Sequence, residues 1–149
     1  LSAYQGVRND GLQRFAGTAY EAVYVHKKGK YYYLFASIGS CCQGEKSTYT
    51  TVVGRSESLF GPYMDKNGNS MLDNHHEVVI HPNASFAGTG HNAEIMTDKK
   101  GDDWILYHAY IRDKAKQGRV VMLDRIHWKK GWPYVEGNMP SNEAQAPKF

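Results

Sequence analysis

Short runs rich in Val, Ile, Thr and aromatic residues follow one another through this chain: YEAVYVHKK, KYYYLFAS, STYTTVVGRS, EVVIHP, NAEIMTDKK, DWILYHAYI and RVVMLDRIHW. A period of two with β-branched and aromatic enrichment is the signature of strands, because successive side chains on a strand leave on opposite faces. The connections KKGK, DKNGNS and DKKGDD carry Gly where a hairpin turn needs a positive φ. No stretch has helical spacing with caps. The chain is expected to be antiparallel and all-β.

The runs also repeat. Lys27, Lys28 and Gly29 recur as Lys99, Lys100 and Gly101, Leu34 as Leu106, and Pro62 and Tyr63 as Pro133 and Tyr134, always 71 or 72 positions apart. Each copy reads as a strand, a Gly hairpin, an aromatic strand, a loop, a third strand and a Pro-Tyr turn. That is the order of a four-stranded meander, the blade of a propeller. A propeller closes with at least about four blades and two are visible, so the chain is expected to form part of a ring.

Composition excludes other classes. The 149 residues carry 18 basic and 15 acidic side chains, a net +3 with no block of like charge. This is solubility and not a nucleic-acid arm. No apolar run is long enough to span a membrane. The opening LSAYQGVRND lacks an initiator Met, so the absence of a targeting segment carries no meaning. Cys41 and Cys42 are neighbours, and alternation along a strand sends adjacent side chains apart. They are expected to be unpaired and to report no compartment.

One residue breaks the apolar pattern. Glu21 stands near the start of a strand, just behind Gly17 and Thr18. In a propeller the first strand of each blade lines the central channel. AGTAYE around Glu21 superposes on AGTGHN, which brings His91 and Asn92 to the same level. One blade offers a carboxylate to the channel and the next an imidazole. Taken alone, an isolated Glu at a strand end is a solvated rim residue, and a lone His a hydrogen-bonded structural one.

YEAVYVHKKGKYYYLFAS, CCQGEKSTYTTVVGRSESLFGPY, GTGHNAEI, DDWILYHAY and RIHWKKGWPYVEG, in this order and spacing, resemble the C-terminal half of the five-bladed propeller arabinanases of glycoside hydrolase family 43. The resemblance runs from about Gly17 to the end. It implies that residues 1–149 are a partial five-bladed β-propeller domain of two to three blades, the upstream blades coming from a missing N-terminal segment or another chain. It implies an inverting glycoside hydrolase acting on α-1,5-L-arabinan or arabino-oligosaccharides of plant cell walls, of the endo-arabinanase type. An exo-acting arabinofuranosidase, a β-xylosidase and an inactive glycan-binding propeller stay open beside it. A secreted or periplasmic location follows from the same resemblance.

By the same resemblance Glu21 falls on the general-acid position, with Tyr20, Ala22 and Val23 as neighbours whose apolar surface would keep its carboxyl protonated. His91 falls on the ligand of a channel metal, calcium or another ion held mostly by water. Calcium prefers oxygen ligands, so a single imidazole is atypical for it. Asn92 is expected to brace the turn. Cys42, and Tyr20 beside Glu21, are expected to touch sugar, and Cys41 to pack. The base and a third, pKa-tuning aspartate belong to earlier blades. Asp10 precedes the resemblance, and Asp65, Asp98, Asp102 and Asp103 read as turn residues. Tyr49 reads as fold and His108 as a core residue or one supporting the site, one ring of the Tyr31–Tyr33 run faces inward, and GNMPSNEAQAPKF reads as a surface strap or the lead into a linker.

Overall fold

Two antiparallel meanders stand side by side in the computed structural model, which describes residues 14–149; Asp10 lies outside that range. The first comprises β1 (Glu21–Lys28), β2 (Tyr31–Ile38), β3 (Thr50–Ser56) and β4 (Glu77–Ile80), each paired with the next. The second comprises β5 (Phe86–Gly90), β6 (Ile95–Thr97), β7 (Asp103–Ile111), β8 (Val120–Lys129) and β9 (Trp132–Tyr134). β5 and β6 both pair with β7, which pairs with β8, which pairs with β9. They are therefore two halves of one interrupted inner strand, and each meander is a four-stranded blade. The hairpin glycines behave as expected, with φ of 58° at Gly29 and 84° at Gly101.

Alternation on β2 explains how the blades join. Tyr33 and Phe35 leave on one face and join Val53, Val79, Ile80, Ile95, Ile105, Tyr107, Ile126, Trp132 and Val135 in a core shared by both blades. Leu34 and Ala36 leave on the other and pack with Val52, Tyr63 and Met71. A strand covered on both faces needs a continuous apolar run, which YYYLFA supplies. Of the three tyrosines, Tyr31 and Tyr33 face the interblade core with Trp128, and Tyr32 the other cluster.

The inner walls touch where Thr50 of β3 pairs in parallel with Thr89 of β5. The Thr51 hydroxyl donates to the Thr89 carbonyl and the Thr89 hydroxyl to the Tyr49 carbonyl, each at 3.2 Å. At the far side the expected strap is present. The Ser141 N–H donates to Asp124, the Lys99 N–H to the Lys148 carbonyl, and the Asn83 amide to the Pro140 carbonyl.

Both inner strands break at corresponding places. β1 shifts register between Glu21 and Tyr24, with Ala22 at φ 53°, and the gap between β5 and β6 contains His91 at φ 52°. Left-handed backbone at a side chain other than Gly is uncommon and costs about 1–3 kcal/mol, so it persists where the surroundings over-determine it.

Candidate active site

The two breaks put Glu21 and His91 around a single buried serine. Glu21 is registered opposite Ser37 of β2, and the His91 backbone N–H donates to Ser37 Oγ at 2.8 Å. Ser37 is fully buried, whereas Glu21 and His91 are exposed. Tyr49, one residue before β3, completes the group. Its phenol is pushed up to about 12, by burial first and then by its interaction with the Glu21 carboxylate.

The Tyr49 ring is fixed from two sides. It stacks on His108 with centroids 5.8 Å apart and planes 23° apart, and it lies so close to Gly90 that a Cβ there would come within 2.4 Å of it. His108 in turn stands 6.1 Å from the His91 ring and accepts from Arg119 Nη1 at 3.4 Å. Burial, then Arg119, then His91 hold the His108 imidazole below its ordinary value, which keeps it neutral and able to accept.

Other expected residues land elsewhere. Tyr20 packs against the outer cluster of the first blade, and its hydroxyl contacts His76 Nδ1 at 2.9 Å and donates to the His75 carbonyl at 3.1 Å. Its phenol, raised to about 12 by burial and then by Asp65, is a packing group. Val23 is 54% exposed. Asn92 is buried and its amide donates to the Ala93 carbonyl, bracing the break as expected.

Cys41 and Cys42 are bonded to each other, which corrects the expectation that they stay unpaired. The alternation argument holds for strands, and these residues sit in a bend after β2. Their loop is closed by Ser40 N–H donating to Thr48 Oγ1 and Gln43 N–H to Ser47 Oγ. Cys42 is exposed, and the loop borders a groove lined by Gln43, Glu45, Arg112, Lys114 and Lys116.

The aspartates named above are engaged away from Glu21. Asp65 accepts from the Asn67 and Asn69 amides, and Asp98 from the Lys100 and Asp102 amides and the Trp104 indole. Asp102 pairs with Arg125. Asp103 corrects the sequence reading. It is no turn residue but a buried carboxylate opening β7 and accepting from Lys28, Thr97 and Trp128.

Sequence reasoning passed over Ser37 and Arg119 and read Tyr49 as fold. The period of two held the signal for Tyr49, since Ser47, Tyr49 and Thr51 share one buried face. As for a metal, no group of three His, Cys, Asp or Glu gathers among the described residues. At the inner-strand break the exposed imidazole of His91 fits an ion whose other ligands are water or come from beyond these blades.

The family model for glycosyl hydrolases family 43 matches residues 3–133. The chain is 42% identical over 123 residues to the extracellular exo-alpha-(1->5)-L-arabinofuranosidase ArbA of Cellvibrio japonicus (strain Ueda107), covering 81% of this chain and 35% of that protein. It is 34% identical over 117 residues to the extracellular endo-alpha-(1->5)-L-arabinanase 1 of Bacillus subtilis (strain 168), covering 78% and 34%. The solved Cellvibrio cellulosa alpha-L-arabinanase complexed with arabinohexaose superposes with a TM-score of 0.74 at 39% identity, covering 80% of this chain and 38% of that one. The chain thus spans about a third of the length of these curated relatives. The fold it shares with them is the five-bladed β-propeller, of which it supplies a part.

Proposed function

The chain belongs to glycosyl hydrolase family 43, and from that premise we propose that it supplies two blades of an enzyme that hydrolyses α-1,5-linked arabinan with inversion. The observation that carries this reading is the placement of Glu21, an exposed carboxylate on the bulged first residue of an inner strand, registered opposite the buried Ser37 to which the His91 N–H donates. Glu21 acts as general acid. It gives its proton to the departing glycosidic oxygen as the bond from that oxygen to the anomeric carbon breaks. A water attacks that carbon from the opposite face and loses its proton to a carboxylate on another blade, about 6.5–9.5 Å from Glu21. Asp65, Asp98, Asp102 and Asp103 are held in turns and ion pairs, and the base is assigned to another blade.

His91 is the channel ligand this chain contributes, and a bound cation there would add positive charge near the developing negative charge of the reaction. Cys42 and its loop form one wall of the sugar cleft. The names of the relatives support an extracytoplasmic location, and the paired cysteines suit an oxidising compartment. No helix among the described residues is long and apolar enough to cross a membrane. We assign endo cleavage as the first reading. Exo cleavage is the second, favoured by the 42% identity to an exo-acting relative; the size of the first products released from linear arabinan separates them.

The test of the acid is Glu21→Gln in the complete enzyme, which keeps shape and removes the proton. Activity on arabinan is expected to fall by about 10²- to 10⁴-fold, the usual contribution of general acid catalysis. An arabinofuranoside with a nitrophenolate leaving group departs without protonation and should lose much less. Equal losses on both substrates overturn the acid role, and full activity on arabinan removes Glu21 from the mechanism.

A further inference from the structure

One arginine ties three loops together. Arg112, the first residue after β7, donates its backbone N–H to the Ser85 carbonyl at 2.9 Å and its Nε to the Asn83 carbonyl at 2.8 Å. Its Nη1 donates to the Glu45 carbonyl. Asn83 and Ser85 lie in the connection from β4 to β5, and Glu45 in the disulfide loop between β2 and β3, so one residue fixes loops of both blades. Between the disulfide loop and residues 112–117 runs a groove of about 600 Å³, within the roughly 300–1,000 Å³ of small-ligand sites. We propose that this groove is a subsite for an arabinosyl residue remote from the cleaved bond, and that Arg112 is the residue that positions its two walls. The inference rests on the reading of the chain as part of an arabinan hydrolase and adds to it a preference for long chains.

The groove lies at the Glu21 end of the blades. β1 and β3 run antiparallel to β2, β5 runs parallel to β3, and β7 runs antiparallel to β5, so β1 starts where β2 and β7 end. Glu21 begins β1, and the groove walls follow β2 and β7. The second wall leads into Arg119, which donates to His108, whose ring stands 6.1 Å from that of His91. The lining suits an uncharged ligand rich in hydroxyls. Glu45 and Asp113 offer acceptors, and Lys114 and Lys116 donors; all four are exposed, and none is ion-paired among the described residues. A hydroxyl both donates and accepts, so a sugar can use both kinds. Arg112 spends its Nε and Nη1 on carbonyls, which makes it a brace for the walls. The walls come close at Gly44, where an added Cβ would lie 3.7 Å from that of Ala115.

The test assays the complete enzyme on linear arabino-oligosaccharides of increasing length. For the parent, kcat/KM should rise with length beyond the shortest substrate cleaved, because binding energy from remote sugars is used at the reacting bond. Arg112→Lys keeps the charge but loses the planar fork that reaches two carbonyls at once. The ratio of kcat/KM for a long substrate to that for the shortest should fall about three- to tenfold, the range for losing one hydrogen bond. A merely structural role would lower both values alike and leave the ratio unchanged. Ala115→Phe narrows the groove without involving an Arg112 hydrogen bond. It should lower the same ratio, and it serves if Arg112→Lys fails to fold. An unchanged ratio in folded Ala115→Phe overturns the proposal. So does a groove that binds oligogalacturonides in place of arabino-oligosaccharides, since the ligand would then be acidic. Failure of the functional reading is distinguishable: the parent would then cleave no arabino-oligosaccharide, whereas cleavage with kcat/KM independent of length removes the subsite alone.

Discussion

The ammonium of Lys28, at the end of β1, is ion-paired with the carboxylate of Asp103, at the start of β7. The two residues lie in different blades, and Asp103 is buried while Lys28 is part exposed. Thr97 and the Trp128 indole also donate to the same carboxylate, at 2.7 Å each. A buried charge with three donors is a joint between blades, and removing its partners leaves an uncompensated charge.

Asp103→Ala is therefore expected to destabilise the protein by about 3 kcal/mol, and Lys28→Met by about 1 kcal/mol, since the solvent-facing ammonium is screened. The pH dependence follows from the carboxylate. Burial alone would raise Asp103, but hydrogen bonds from Lys28, Thr97 and Trp128 hold it below the ordinary value. A depressed carboxylate contributes stability above its unfolded value, near pH 4, and loses it as pH falls through the folded value. Denaturant midpoints measured from pH 5 down to pH 2 should fall more steeply for the parent protein than for Asp103→Asn. Parallel curves would show that this carboxylate plays no part in acid unfolding.

A second joint is Arg55 of β3. Its guanidinium lies 4.2 Å from the Tyr31 ring centroid and 4.4 Å from that of Trp132, and it donates to the Gly131 carbonyl at 2.8 Å. A planar, weakly hydrated guanidinium can stack on both rings and still donate in plane, which an ammonium cannot do. Arg55→Lys keeps the charge, yet it should cost about 1–2 kcal/mol. The readout is a lower urea midpoint with unchanged slope. A midpoint equal to that of the parent would show that charge alone suffices.

The blades were legible because hairpin glycines and period-two runs are local signals. The offset linking Lys27–Lys28–Gly29 with Lys99–Lys100–Gly101 showed that the unit repeats. What escaped the sequence depends on partners distant along the chain. NAEIMTDKK reads as one continuous strand, but the inner strand is interrupted between Gly90 and Ile95, because His91 takes a left-handed φ and its N–H turns to Ser37 of the other blade. Asp103 reads as a turn residue because its donors come from β1, β6 and β8. Tyr20 sits beside Glu21 in sequence, but its ring packs with the outer cluster of the first blade while Glu21 is registered opposite Ser37. The Cys41–Cys42 bond escaped because a strand rule was applied to a bend.

That bond closes a very short loop, and loop-closure entropy gives it about 1 kcal/mol. The same loop is held independently by Ser40 with Thr48, by Gln43 with Ser47, and by Arg112 donating to the Glu45 carbonyl. Reduction, or replacement of both cysteines by serine, should lower Tm by only a few degrees. KM for arabino-oligosaccharides should rise severalfold, because the loop borders the groove beside residues 112–117. An unchanged KM would remove Cys42 from the cleft wall, and a collapse of Tm would make the bond a fold determinant.

His91 offers a test in which metal loss and unfolding separate. Its φ of 52° suits glycine, so His91→Gly relieves backbone strain while deleting the imidazole. The backbone N–H that Ser37 accepts is still present in the variant. Stability of the metal-free protein is thus expected to stay level or rise slightly. Alanine would leave the strain in place, and asparagine would introduce an oxygen ligand, so glycine is the clean substitution. If His91 holds an ion in the channel of the complete enzyme, metal content measured by elemental analysis after dialysis should fall well below that of the parent. Activity should fall with it and recover in part when the ion is added in excess, because the other ligands persist. Unchanged metal content in a well-folded His91→Gly variant would remove His91 as a ligand and leave it as the residue that breaks the inner strand.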